Sequence, residues 1–73
     1  MIDEALDQLN SGAPEVIVDF SPVARIDPKD ARKMEALAAA ADAKSAKVIL
    51  RGVNIGVYRV LKLAKLSPRF TFQ

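Results

Sequence analysis

Residues 20–31 read FSPVARIDPKDA, and this stretch joins a predicted strand to a predicted helix. The strand, residues 16–20, is a short and mostly β-branched apolar run that is typical of an inner strand, and a Ser-Pro pair ends it. Asp27, the proline after it and Asp30 form a strong helix-start signal. Binding sites in open α/β sheets lie outside the carboxyl ends of the strands, where residues 20–26 fall. This junction is therefore the candidate functional surface.

The rest of the chain alternates between helical and strand patterns. Apolar residues at helical spacing predict an amphipathic helix over residues 2–10 and an alanine-rich helix over about residues 28–43. Residues 47–51, KVILR, predict a second buried strand. Asn54 fits the N-cap of a third helix, which ends near residue 65.

The alternating aromatic residues of RFTF, 69–72, predict a last strand. Strands separated by helices imply right-handed crossovers, so the sequence predicts an α/β fold with a small, mostly parallel sheet of about three strands covered by helices. The 73 residues leave room for one domain with a thin core. The open edge of such a small sheet is a pairing hazard, and a homodimer through that edge is one expectation.

Composition excludes several kinds of chemistry. The chain has no cysteine and no histidine, so disulfides, thiol nucleophiles, histidine acid–base chemistry and the usual zinc sites are excluded. Its serines have no histidine to activate them, and its three glycines form no phosphate-binding loop. The sequence predicts a non-catalytic domain with no metal and no cofactor. No apolar run approaches the roughly 18 residues of a membrane span, and the acidic start is unlike a signal peptide, so we expect a cytoplasmic location.

Charge is divided unevenly along the chain. Residues 1–43 carry nine acids and four bases, net −5, whereas residues 44–73 carry seven bases and no acid, net +7. One interpretation is an anionic partner or the association of one half with the other, and the alternative is compensation within the fold. Nucleic acid or an anionic surface could contact Arg59, Lys62 and Lys65, but Tyr58 is the one aromatic residue near them for base stacking. Helical lysine stripes are usually solvated faces, so this partner is less favoured than a protein.

Residues 16–31, VIVDFSPVARIDPKDA, resemble the signature of the STAS domain, the family of bacterial anti-sigma-factor antagonists and of the cytosolic tails of sulfate transporters. In that family a strand ends in Asp-apolar-Ser, and an apolar residue followed by Asp-Ser-Ser-Gly opens the next helix. The matching positions are Asp19, Phe20, Ser21, Val23, Ile26 and Asp27. Residues 44–70 are similar to the family's second half, so the resemblance covers nearly the whole chain from residue 15.

Two departures from the family pattern bear on function. Lys29 occupies the place of the serine that a partner kinase phosphorylates in the antagonists, so the resemblance implies no phosphorylation site here. Asp30 aligns with the family's glycine and is explained by helix capping. The family's strand or strands before the first helix are also missing, which suggests a truncated version of the fold.

The resemblance implies that the junction and the turn at residues 51–54 bind another protein. Ile26 would be the apolar contact, Asp27 would fix the turn as a helix cap, and the charged residues would select the partner. The predicted partner-binding residues are Ser21, Ile26, Asp27, Lys29, Asp30, Lys33 and Asn54. The implied partner is a kinase-like anti-sigma factor in transcriptional control or, alternatively, a component of a lipid or anion transporter.

Overall fold

Helices and strands alternate along the chain, as the sequence predicts. The computed structural model describes residues 2–73. The elements are α1 (Ile2–Asn10), β1 (Glu15–Asp19), α2 (Pro28–Ala43), β2 (Lys47–Arg51), α3 (Ile55–Leu63), a 3-10 turn (Ser67–Arg69) and β3 (Thr71–Phe72). The last strand is shorter than predicted because residues 67–69 form the 3-10 turn, so the extended backbone begins at Phe70 and pairing with β2 begins at Thr71.

The three strands form one parallel sheet in the order β1-β2-β3. Ile17 lies opposite Ile49, and Ile49 in turn lies opposite Thr71. Each neighbouring pair of strands is joined by a helix, so the predicted α/β fold with a parallel sheet is confirmed. Both outer strands, β1 and β3, leave one edge unpaired.

All three helices pack on one face of the sheet. Val16 and Val18 of β1 and Val48 and Leu50 of β2 point to that face and share a single core with residues of every helix. The strand order explains the placement of α2 and α3, because two right-handed crossovers that move in the same direction place both helices on the same face. The first helix, α1, precedes the sheet and packs against α2 and β1. The prediction that helices cover the sheet therefore holds for one of its two faces.

The other face of the sheet, here called the open face, carries alternate residues of the strands. Ile17 is 48% exposed, and Ile49 is 7% exposed because its in-register neighbours flank it. Neither side chain belongs to the core that the helices share. The remaining open-face residues of β1 and β2 are Glu15, Asp19, Lys47 and Arg51.

The fold brings acids of the first half of the chain next to bases of the second half. Glu15 lies opposite Lys47, and Asp19 lies opposite Arg51 in the register of β1 and β2. Arg69 forms an ion pair and hydrogen bond with Asp42 near the end of α2. Three of the seven bases of residues 44–73 therefore face acids of residues 1–43, which compensates part of the charge division within the fold.

The helices are amphipathic. The longest, α2, has 16 residues and packs on the core through four apolar residues at helical spacing. Its buried residues are Met34, Leu37, Ala38 and Ala41. Within residues 2–73, none of the helices combines the length and the apolar character that crossing a bilayer requires.

Candidate functional site

The loop between β1 and α2 starts in a turn that Asp19 fixes. Its carboxylate accepts hydrogen bonds from the Ser21 hydroxyl at 2.6 Å and from the Ser21 backbone N–H at 2.9 Å. Phe20, the residue between Asp19 and Ser21, is fully buried, and its N–H donates to the carbonyl oxygen of Arg51 at 2.7 Å. The loop is therefore anchored to the end of β2 as soon as it leaves the sheet.

The same contacts lower the pKa of Asp19. The Ser21 hydroxyl is the main cause, the Ser21 backbone N–H is the second, and the positive charge of Arg51 adds a smaller effect against the opposing effect of desolvation. In the sequence, Asp19 stands out only as part of the family pattern. The Asp-x-Ser spacing could have indicated its turn-forming role, since aspartate side chains often bond the backbone two residues on.

Gly52 follows β2 and lies directly against Ser21. Its φ is +73°, in the left-handed region that glycine adopts without strain. A Cβ at this position would collide with the Ser21 hydroxyl oxygen and would lie 3.1 Å from the Ser21 nitrogen. The β1–α2 loop and the β2–α3 turn are thus in close contact where a side chain on Gly52 would not fit.

Asn54 links the two connections. Its side-chain oxygen accepts from the Val57 N–H at 2.8 Å, which confirms the predicted N-cap of α3. Its side-chain amide donates to the carbonyl oxygens of Val23, at 3.2 Å, and Ala24, at 3.0 Å. The second set of contacts holds the exposed middle of the β1–α2 loop. No local sequence pattern predicts these contacts, because the partners lie about thirty residues away.

Asp27 and Asp30 form a capping box at the start of α2. The Asp27 carboxylate accepts from the Asp30 N–H at 2.8 Å, and the Asp30 carboxylate accepts from the Asp27 N–H at 3.4 Å. The bond from the Asp30 N–H is the main cause of a lowered pKa of Asp27. The capping role predicted for both residues is confirmed.

Two of the predicted partner-binding residues point elsewhere. Ile26 is 8% exposed and belongs to the helix-covered core, so its predicted role as an exposed apolar contact requires correction. A single apolar residue in a loop carries no periodicity, and here it turns inward to extend the core. Lys33 lies 3.8 Å from Asp3 of α1 and is half-buried, so it faces α1.

Most of the other residues from Ser21 to Asp30 lie at the surface and form what we call the junction surface. It consists of Ser21, Pro22, Ala24, Arg25, Asp27, Lys29 and the partly buried Asp30. Asn54 lies beside it and holds its middle part. The residues thus present charge and backbone groups at the carboxyl ends of β1 and β2. No group of side chains suited to holding a metal ion occurs among the residues that the structure describes.

Comparison of the chain with family models, with curated proteins and with solved structures finds no match in any of the three.

Proposed function

We propose that this chain is a STAS-like interaction domain that binds a regulatory protein partner through the junction surface. The observation that supports this proposal is the double hydrogen bond from Asn54 to the carbonyl oxygens of Val23 and Ala24. It fixes an exposed loop that has no sheet or helix of its own to hold it. A surface ordered before binding loses less conformational entropy on association, which favours a docking role.

Lys29 gives the proposed surface a positive charge where the antagonists of the family carry a phosphorylatable serine. It is exposed in the first turn of α2, next to the positive end of the helix dipole. A base is unfavourable there for the helix itself, so its presence suggests selection for contact with a partner. Without the serine, binding is constitutive or is controlled by a signal other than phosphorylation of this position.

The proposed partner is a kinase-like anti-sigma factor or a transporter component, and the proposed location is the bacterial cytoplasm. Binding of nucleic acid through the basic half is less favoured. Three of its bases face acids within the fold: Lys47, Arg51 and Arg69. Arg59, Lys62 and Lys65 stay exposed, but the field of the whole basic half on a phosphate backbone is weaker than the sequence charge implies. Tyr58, the aromatic residue near them, packs on Phe72.

A homodimer through an open sheet edge stays a prediction, and the charges on β1 argue against one form of it. Two copies of β1 paired antiparallel about Ile17 would place Glu15 opposite Asp19 of the second copy. Like charges directly opposite each other destabilise a strand pair. Light scattering over a range of protein concentrations would detect the dimer, and we expect it to be weaker at pH 7 than at acidic pH.

The test of the docking proposal uses charge reversal at one end of α2. The kinase-like anti-sigma factors and transporter components of the source genome are titrated by calorimetry with the chain and with Lys29→Glu. Because an acid in the first turn of a helix is favourable, the variant should fold at least as well as the parent. We expect it to bind about tenfold more weakly, as for a central interface charge.

Lys44→Glu is the matched control. It makes the same charge change at the other end of α2, where Lys44 is exposed. We expect it to bind like the parent chain. Equal affinities of the parent and Lys29→Glu for every partner that binds would refute the placement of the interface at the junction surface.

A further inference from the structure

A second surface lies at the β3 edge of the sheet, between β3 and α3. A groove of about 440 Å³ runs there, here called the β3 groove. It is lined by Val53, Asn54, Ile55, Tyr58, Phe72 and Gln73. Ile55 is 72% exposed and Tyr58 is 40% exposed, and the Tyr58 ring packs edge-to-face on Phe72 with 5.2 Å between ring centroids. Large apolar side chains are thus left in contact with solvent in a concave site.

The backbone of β3 offers hydrogen bonds along this groove. The Gln73 N–H donates to the Leu50 carbonyl oxygen at 2.9 Å, and the Gln73 carbonyl oxygen accepts from the Gly52 N–H at 3.4 Å. Successive residues of a strand direct their N–H and C=O groups to opposite sides. The N–H and C=O of Phe72 therefore point to the open edge of the sheet, where an added strand can pair with both.

The charge around the groove is positive. Lys62 follows Tyr58 by one helical turn, and Arg59 follows Ile55 by one turn, so these two exposed bases share the face of α3 that borders the groove. The groove lining has no acid, and residues 44–73 contain none. The site is therefore complementary to a ligand that combines negative charge with apolar side chains.

We propose that the β3 groove binds a short, extended, acidic and apolar segment of another protein, which adds to the sheet as a fourth strand next to β3. The segment forms two backbone hydrogen bonds with Phe72, inserts an apolar side chain between Ile55 and Tyr58, and places acids near Lys62 and Arg59. The size of the groove accommodates a few side chains rather than a globular surface.

The chain's own acids are poor candidates for this ligand. A second copy could add an extended acidic strand only through the open edge of β1, and the acids of that strand, Glu15 and Asp19, already lie opposite Lys47 and Arg51. The acids of α1 and α2 are not in extended backbone. A segment of a different protein is therefore favoured over a second copy. The proposal is independent of the junction surface, since Lys29→Glu should bind the same segment with unchanged affinity.

The probe is a fluorescent peptide of about nine residues, with a central alternation of leucine and threonine and two aspartates at each end. Fluorescence polarisation measures its affinity, and the amide spectrum of the protein maps the contact. We expect binding that weakens about tenfold between roughly 0.05 and 0.3 M salt, with spectral changes at Val53, Ile55, Tyr58 and Phe72. A peptide with lysines in place of the aspartates, and one with N-methylated alternate amides, should both fail to bind.

Matched variants distinguish binding in the groove from binding elsewhere on α3. Ile55→Ser should weaken binding about fivefold or more, whereas Leu63→Ser, on a more exposed residue outside the groove lining, should leave it unchanged. Lys62→Glu should weaken binding, and Lys44→Glu should not. All four positions are exposed, so the variants should fold.

Several outcomes would overturn the proposal. Equal affinity for the acidic and basic peptides would show that charge does not select the ligand. An equal loss of affinity in Leu63→Ser and Ile55→Ser would show that the peptide does not bind in the groove. Spectral changes at the groove that grow with protein concentration alone would identify a second copy as its occupant. Binding of anionic vesicles with the same variant profile, in the absence of peptide binding, would identify a lipid surface instead.

Discussion

Two connections leave the carboxyl end of the sheet, and they are built differently. The β1–α2 loop is long and exposed, and it ends in the Asp27–Asp30 capping box. The β2–α3 turn is short, with a positive φ at Gly52 and a single side-chain cap at Asn54. Both begin a helix with a capped N-terminus, but the cap of the short turn also donates two hydrogen bonds to the long loop.

The difference shows that the short turn sets the shape of the long loop. The carbonyl oxygens of Val23 and Ala24 receive their donors from Asn54, about thirty residues away in sequence. The start of the loop is likewise set by the contact of Ser21 with Gly52. The shape of the candidate docking surface thus depends on residues of β2–α3 that a partner need not touch.

The largest effect should come from Gly52→Ala. Alanine is strained at φ +73°, and its Cβ would collide with Ser21. We expect a loss of about 2–4 kcal/mol in the free energy of unfolding, which urea denaturation measures. Adding Ser21→Gly should restore part of the loss because it removes the hydroxyl that the Cβ meets. A Gly52→Ala variant as stable as the parent would refute the close contact between the two connections.

A smaller effect should follow from changes at Asn54. Asn54→Ala removes the cap of α3 and both bonds to the loop, so we expect it to destabilise the fold by about 2 kcal/mol. Asn54→Asp keeps a capping oxygen but places a carboxylate beside the carbonyl oxygens of Val23 and Ala24. Amide hydrogen exchange should therefore quicken in residues 22–25 of Asn54→Asp while α3 stays protected.

Asp27→Ala is the comparison for these two variants. Its side chain caps α2, with the Asp30 N–H as the main donor, and makes no hydrogen bond to residues 22–25. It should loosen the first turn of α2 and leave exchange in residues 22–25 nearly unchanged. If Asp27→Ala and Asn54→Asp quicken exchange in residues 22–25 equally, the short turn does not control the loop.

The two connections also separate what the sequence predicts from what it does not. The caps at Asp27 and Asn54 are predictable because each acts on a backbone N–H three residues away. The bonds from Asn54 to the loop and the contact of Gly52 with Ser21 depend on β1 and β2 being neighbours. Sequence patterns predict each strand but not the order in which the strands pair.

Dependence on the tertiary arrangement also explains why sequence patterns predict neither the open face nor the burial of Ile26. Helices on a single face follow from the strand order β1-β2-β3 together with right-handed crossovers, so the uncovered face follows only once that order is known. Ile26 is an isolated apolar residue between polar ones, and no period assigns its direction. Its burial depends on the path of the loop, which Asn54 sets from a distance.

The smallest effect concerns the titration of Asp19, at the start of the long loop. Its lowered pKa means that the folded state favours the carboxylate, so Asp19 stabilises the fold above its unfolded pKa of about 4, and this contribution is lost as the pH falls through the lower folded value. Ser21→Ala removes the principal cause, so the pKa of Asp19 should rise toward its ordinary value, as followed by NMR of the carboxyl carbon.

Salt distinguishes the two causes of this shift. Added salt screens the attraction between Arg51 and the Asp19 carboxylate. It has little effect on the hydrogen bonds from Ser21, because these are short-range contacts. We therefore expect Ser21→Ala to change the pKa of Asp19 more than about 0.5 M sodium chloride does. Since the Asp27 carboxylate takes its main bond from Asp30 rather than from Ser21, its titration should be the same in Ser21→Ala and the parent. A larger response to salt than to Ser21→Ala would show that the loop starts from an ion pair across the open face and not from the Asp19–Ser21 turn.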